Sequence, residues 1–231
     1  MSTILRETRE TRVRVRVGPD ALRPGAAPGR PAIERGTYAA PAIRTTDRLL
    51  DHMLETLARY SGLALEVEAT GDLRHHLVED VAITIGLALR DEIPATCQRY
   101  GDATVVMDDA LVQAALDAGG RAYYRGPVPS RLYDHFFRSL ADNAAIALHL
   151  RVLRGRDRHH AVEAAFKAFG LALRRALAPG DAVFSTKGAI RIERLDPPAH
   201  GQGDAAAERA GQAARAAGPQ RAPDVAPSPE A

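Results

Sequence analysis

The stretch RHHLVEDVAITIGLALRD, residues 74–91, sets two adjacent histidines and a glutamate at the head of an apolar helical pattern, and RHHAVEAAFKAFGLALRR, residues 158–175, does so again. Superimposed with His75 on His159, an offset of 84, the two share His-His, Val, Glu, Gly-Leu-Ala-Leu and Arg at equivalent positions. Identity at that density points to a duplicated element. The flanks extend it: Asp51-His52 falls on Asp134-His135, Leu57-Ala58 on Leu140-Ala141 and Ala64-Leu65 on Ala147-Leu148, all offset by 83. One inserted residue before Gly155 accounts for the change. The chain therefore reads as two similar α/β halves, residues 1–96 and 97–190.

Each half repeats one order of patterns. TRVRVRVG alternates polar and apolar residues with the period of a half-buried strand, and TYAAPAIRT suits another. TTDRLLDHMLETLARYSG reads as a helix with Thr46 or Asp47 as N-cap and Gly62 at its exit. LALEVEAT alternates again before the first His-His helix. In the second half, strands are expected at ATVVMDD, ALVQAALDA and RAYYRG, a helix at RLYDHFFRSLADN, and a strand at AIALHLRVL before the second His-His helix. From Pro197 to the end the composition turns to Ala, Pro, Gly, Gln and Arg without apolar periodicity. Such a segment buries too little surface to offset its ordering entropy, so residues 197–231 read as a disordered tail.

Composition narrows the function classes. With 45% hydrophobic and 26% charged residues the chain is globular, and no apolar run approaches the roughly 20 residues that span a bilayer. The N-terminus lacks the apolar segment of a signal peptide, and a single cysteine, Cys97, excludes an internal disulfide and a multi-cysteine zinc site. A cytoplasmic location follows as the expectation, with no membrane partner. A net charge of +2 and 5% aromatics argue against nucleic acid as a partner. Any cationic groups that matter are expected to serve a small anion.

On a helix, His75 and Glu79 stand four residues apart and His76 and Glu79 three apart, so the glutamate lies beside either imidazole. The two histidines diverge by about 100° around the axis and suit two different ions better than one. One glutamate cannot complete both shells, and His159, His160 and Glu163 supply the same set a second time. Imidazole with carboxylate and no thiolate fits Mn, Fe, Zn or Ni, and the residues alone do not choose among them. A lone His-His pair is ordinarily a surface or capping feature; two copies of His-His-x-Val-Glu in a duplicated context favour metal. His52 and His149 read equally as metal ligands or as partly buried, hydrogen-bonded histidines, while His135 and His200 read as surface residues.

Taken in order, RETRET, LLDHMLETLA, HHLVED, RYG followed by MDDAL, GGRAYY, FFRSLADNAAIALHLRVLRGRDRHHAVEAAFKAFGLALRRAL and STKG closely resemble imidazoleglycerol-phosphate dehydratase, from about residue 6 to 190. The resemblance implies an α+β fold of duplicated two-layer α/β half-domains, like domain 2 of ribosomal protein S5. Each half would be a mostly antiparallel four-stranded sheet with two helices. It also implies two manganese ions per active site and a hollow homo-oligomer of about 24 subunits built from trimers, with sites formed between subunits. Carried over by position, His75, Glu79, His149 and His159 would hold one ion and His52, His76, His160 and Glu163 the other. Glu10 would be the catalytic carboxylate, and Arg99, Arg121, Lys167, Ser185 and Lys187 would hold the substrate, mostly its phosphate. Guanidinium, ammonium and hydroxyl donors are the groups that bind a phosphate dianion best.

The implied reaction is the dehydration of imidazole glycerol phosphate to imidazole acetol phosphate in histidine biosynthesis. The proton to be lost lies on a carbon with no neighbouring carbonyl, so the substrate's imidazole is the only electron sink. Some positions depart from the family pattern. Arg74 stands where an acidic approach to the first His-His pair is usual, Leu77 replaces a threonine, Tyr60 replaces a further histidine, and TTDRL replaces a Gly-rich approach to DHML. Outer-sphere changes of this kind alter metal affinity or activity by about 10- to 100-fold in other sites. Two alternatives therefore stay open: a diverged paralogue acting on another imidazole-like phosphate, and a non-catalytic metal-binding assembly protein.

Overall fold

The hydrophobic alternation of Val13, Val15 and Val17 builds the first sheet. In a computed structural model that describes residues 1–19 and 42–180, these side chains are buried while Arg12, Arg14 and Arg16 point outward. They lie on strand β2 (Thr11–Pro19), which pairs antiparallel with β1 (Ser2–Glu7) on one side and β4 (Leu63–Gly71) on the other. Val13, Val15 and Val17 face Ala69, Val67 and Leu65 across the ladder. A short strand β3 (Ile43–Arg44) pairs parallel with β4 and closes the order β1-β2-β4-β3. The second sheet has the same plan. Strands β5 (Tyr100–Met107), β6 (Ala110–Asp117), β7 (Tyr123–Arg125) and β8 (Ala147–Arg154) lie in the order β5-β6-β8-β7, with β7 parallel to β8.

The expected α+β fold of duplicated half-domains, each a mostly antiparallel four-stranded sheet with two helices, is therefore what forms. Strand β1 was not expected from pattern. Ile4 and Leu5 are neighbours, so its apolar residues do not alternate, and Leu5 stays 51% exposed; pairing with β2 makes it a strand. Of TYAAPAIRT only Ile43–Arg44 forms a strand among the described residues, and residues 37–41 lie outside them. The tail expected at 197–231, with His200, also lies outside the described residues.

Helices α1 (Arg48–Ser61) and α2 (Arg74–Glu92) belong to the first half, α3 (Arg131–Ala144) and α4 (Arg158–Ala176) to the second. Asp47 settles the α1 cap: its carboxylate accepts from the backbone N–H groups of Leu49 and Leu50, and Gly62 ends the helix at φ 71°. Only a residue tolerant of left-handed backbone ends a helix this way without strain. Each long helix covers its own sheet, α2 against β1 and β2 and α4 against β5 and β6. The short helices cross over, α1 packing on α4 and α3 on α2. Phe137 and Phe166 meet across α3 and α4 with centroids 4.7 Å apart, and one core runs through both halves.

Glycines at equivalent positions allow the two crossings. A Cβ on Gly86 would stand 2.7 Å from the Leu140 carbonyl oxygen, and one on Gly170 would stand 2.9 Å from Tyr60 Cβ and 3.0 Å from the Ser61 nitrogen. These neighbours are backbone or close to it, so the helices must separate to admit a methyl group. Gly86→Ala and Gly170→Ala should each destabilise the fold by about 1–3 kcal/mol, against the gain in helix propensity. Chemical denaturation checks this, and unchanged or increased stability in both variants would refute the close-packing argument.

Candidate metal centres

The crossing of helices brings distant histidines onto single carboxylates. His52 on α1 and His159 on α4 both place Nε2 3.2 Å from Oε2 of Glu163, which lies one turn along α4. Their rings are stacked 6.1 Å apart at 9°. In the other pair of helices, His75 Nε2 is 3.5 Å and His135 Nε2 3.1 Å from the oxygens of Glu79. Those two rings lie 5.2 Å apart at 20°. Within each trio the donor atoms all fall within 4.8 Å of one another. Each cluster thus takes one histidine from the short helix of one half and a His-x-x-x-Glu pair from the long helix of the other.

Glu163 is buried, and burial alone would push its carboxyl up, but hydrogen bonds from Lys167 and His52 outweigh this and hold it below its ordinary value. Lys167 Nζ lies 2.9 Å from Glu163 Oε1 and over the Tyr60 ring at 5.7 Å. Tyr60, which departs from the family pattern, therefore flanks the cation that pairs with this carboxylate. In the second cluster, Nε2 of His135 is buried and has no aligned hydrogen-bond partner despite its approach to Glu79. A buried ring nitrogen left without a bond is costly unless something else uses its lone pair or proton. Two imidazoles and a carboxylate within reach of one point fit a divalent transition ion.

The second histidine of each pair faces the hairpin turns. Carboxylates only accept, so His76 Nδ1 donates to Asp72 Oδ1 at 2.9 Å, with Glu10 Oε2 at 3.4 Å, and His160 Nδ1 donates to Asp109 Oδ1 at 2.8 Å. Those hydrogen bonds raise the pKa of both histidines. Asp109 is held far below the usual carboxylate range by the backbone N–H of Arg156 first, then by His160 and the N–H of Asp157. A carboxylate on Nδ1 fixes the ring and directs Nε2 outward, the arrangement that orients imidazole ligands.

The other expected residues are spread over the fold. His149 is exposed on β8, between the buried Leu148 and Leu150, on the sheet face away from the helices and beside the Tyr123 ring at 5.3 Å. Within this chain it joins neither cluster. Arg99, at φ 65°, is bound to Asp117 through contacts of 2.7 and 3.0 Å, and Arg121 is exposed nearby. Ser185 and Lys187 lie outside the described residues. Leu77 is buried in the core, and Arg74 ion-pairs with Asp47, tying the start of α2 to the start of α1. His135, expected at the surface, is half-buried in the second cluster; the offset of 83 onto His52 was the signal for it. An open groove of about 1000 Å³ runs past the first cluster, lined by Leu49, Met53, Arg74, Tyr133, Arg158 and His159 among others.

A sequence profile described as imidazoleglycerol-phosphate dehydratase matches residues 45–173, the span that holds both clusters. The chain belongs to the imidazoleglycerol-phosphate dehydratase family. These are hydro-lyases of histidine biosynthesis. The dehydratase of Nautilia profundicola is 38% identical over 205 residues, covering 82% of this chain and 100% of its own. A bifunctional histidine biosynthesis protein of Stenotrophomonas maltophilia is 40% identical over 205 residues, covering 82% of this chain and 52% of its own. The crystal structure of the dehydratase from Pyrococcus furiosus matches with a TM-score of 0.67 at 36% identity, covering 81% of this chain and 100% of that one. Among the described residues, no helix is long and apolar enough to cross a membrane.

Proposed function

We propose that the chain converts imidazole glycerol phosphate to imidazole acetol phosphate with the help of two divalent ions, manganese being the ion of first choice. The observation that supports this most is the pair of His-His-Glu clusters, His52, His159 and Glu163 with His75, Glu79 and His135, each assembled from both halves. When bound, such ions supply Lewis acidity to the substrate's imidazole, the electron sink that the reaction requires. Glu10, exposed on the turn between β1 and β2 and 3.4 Å from His76, is the carboxylate placed to accept the carbon-bound proton and release it with the departing hydroxyl as water. Arg99 and Arg121, with Ser185 and Lys187, are the phosphate-holding candidates. Lys167 is occupied by Glu163 and acts first on that carboxylate. The groove beside His159 is of a size that holds small molecules.

We read the sites as completed between subunits, in a homo-oligomer of about 24 copies built from trimers. Each cluster draws three donors from one chain, and His149 stands on a sheet face from which it reaches neither. A second chain is the natural source of the missing donors. Purified protein supplied with manganese should dehydrate imidazole glycerol phosphate and restore growth to a histidine auxotroph lacking this step. Metal binding without turnover would instead establish a metal-holding assembly protein, and turnover of only another imidazole-like phosphate would establish a diverged paralogue.

A further inference from the structure

Asp80 is a buried carboxylate beneath the hairpin that carries Glu10, 8% exposed, and the chemistry described above does not use it. It accepts a hydrogen bond from the Thr11 hydroxyl and ion-pairs with the Arg6 guanidinium without an aligned hydrogen bond, so β2 is hydrogen-bonded to α2 and β1 is held to it by charge. From Thr11 the connection continues. The hydroxyls of Thr8 and Thr11 lie 3.1 Å apart, and Thr8 Oγ1 accepts from the backbone N–H groups of Glu10 at 3.1 Å and Thr11 at 3.0 Å. The Glu10 carbonyl in turn accepts from the Asp72 N–H at 3.0 Å. The main chain of Glu10 is thereby bonded from both sides.

The duplication supplies a comparison within the molecule. The position equivalent to Asp80 is Ala164, and the second hairpin has no carboxylate beneath it there. Its turn is held by Asp109, which accepts from the N–H groups of Arg156 at 2.5 Å and Asp157 at 3.1 Å. A buried ion pair is weak as a source of stability, because desolvation offsets its attraction, and it is better suited to fixing a geometry. Of the two hairpins compared among the described residues, the one whose turn bears Glu10 has such a pair beneath it, and the other has Ala164 at the position of Asp80.

We propose that Asp80 is a positioning residue: through Thr11 and Arg6 it locks the turn of residues 8–11 to α2, and so holds the Glu10 carboxylate beside His76. The inference rests on the reading of Glu10 as the proton-transfer group. In the manganese-loaded protein, Thr11→Val and Asp80→Asn should lower kcat by about 10- to 100-fold, the size of effect a misplaced group produces, with KM and metal content unchanged. Thr11→Ser should recover kcat to within about threefold of the parent. In a Glu10→Gln background Thr11→Val should cost nothing further, because the group it positions is gone. An equal fractional loss in both backgrounds would overturn the proposal, as would full kcat in Thr11→Val. Should Asp80→Asn fail to fold with Arg6 unpaired, Thr11→Val keeps the ion pair and carries the test. Full activity in Glu10→Gln would overturn the reading of Glu10 instead. Amide hydrogen exchange at Glu10 and Thr11 then decides the clamp separately: faster exchange in Thr11→Val upholds it and unchanged exchange rejects it.

Discussion

Glu163→Gln should release one of two bound ions per chain and lower turnover at least about 100-fold, and Glu79→Gln should do the same at the other cluster. The amide keeps the shape of the carboxylate but not its charge, and both histidines of each cluster converge on that group. The two variants should differ in apo stability. Lys167 is mostly buried against Glu163, so losing the carboxylate leaves its ammonium without that partner, at a cost of about 1–3 kcal/mol. Beside Glu79 the equivalent position is Ile83, and no comparable penalty is expected. Elemental analysis, turnover and chemical denaturation of the metal-free variants measure all three effects. Full metal and full activity in both would show that these carboxylates are not ligands.

Chelation should abolish turnover and shift the assembly from its largest species toward trimers, and manganese should reverse both changes. If each ion takes donors from two chains, the metal binds the assembly and not its parts, and its contribution grows with free metal by mass action. At a concentration about 100 times its dissociation constant that amounts to about 2.7 kcal/mol per site. Repeated over many sites in one particle, this is enough to decide its size. Size-exclusion chromatography with light scattering, with and without chelator, reads the outcome. A mass indifferent to chelation would mean that the subunit contacts stand without metal, and turnover by a metal-free monomer would refute the site.

The repeated His-His helix, an α1 cap at Thr46 or Asp47, the Gly62 exit and the alternation of Val13, Val15 and Val17 were legible because each rests on local geometry. Which short helix packs on which long one was not. Periodicity marks the apolar face of a helix but does not name its partner, so the convergence of His52 with His159 and of His135 with His75 had to be seen in three dimensions. The offset of 83 sets His135 on His52, and carrying the ligand role of His52 along with that match would have found it. Asp80 gives no signal by pattern, because a lone acid among apolar helix positions reads as exposed until its partners Thr11 and Arg6 are in place.

The crossing of α1 onto α4 and α3 onto α2 means that neither half contains a finished cluster. Residue 52 waits for residues 159 and 163, and residue 135 for residues 75 and 79. Two separate copies of one half could form the same arrangement by exchanging short helices, and they would have to find each other by diffusion. Joining them in one chain replaces that search by an encounter at an effective concentration in the millimolar range for a short tether. It also frees the two sides from having identical sequences. One side then carries a lysine beside its glutamate and the other an isoleucine, and one hairpin stands on a buried aspartate where the other stands on an alanine. Fusion converts a symmetric pair into two sites that can be tuned one at a time.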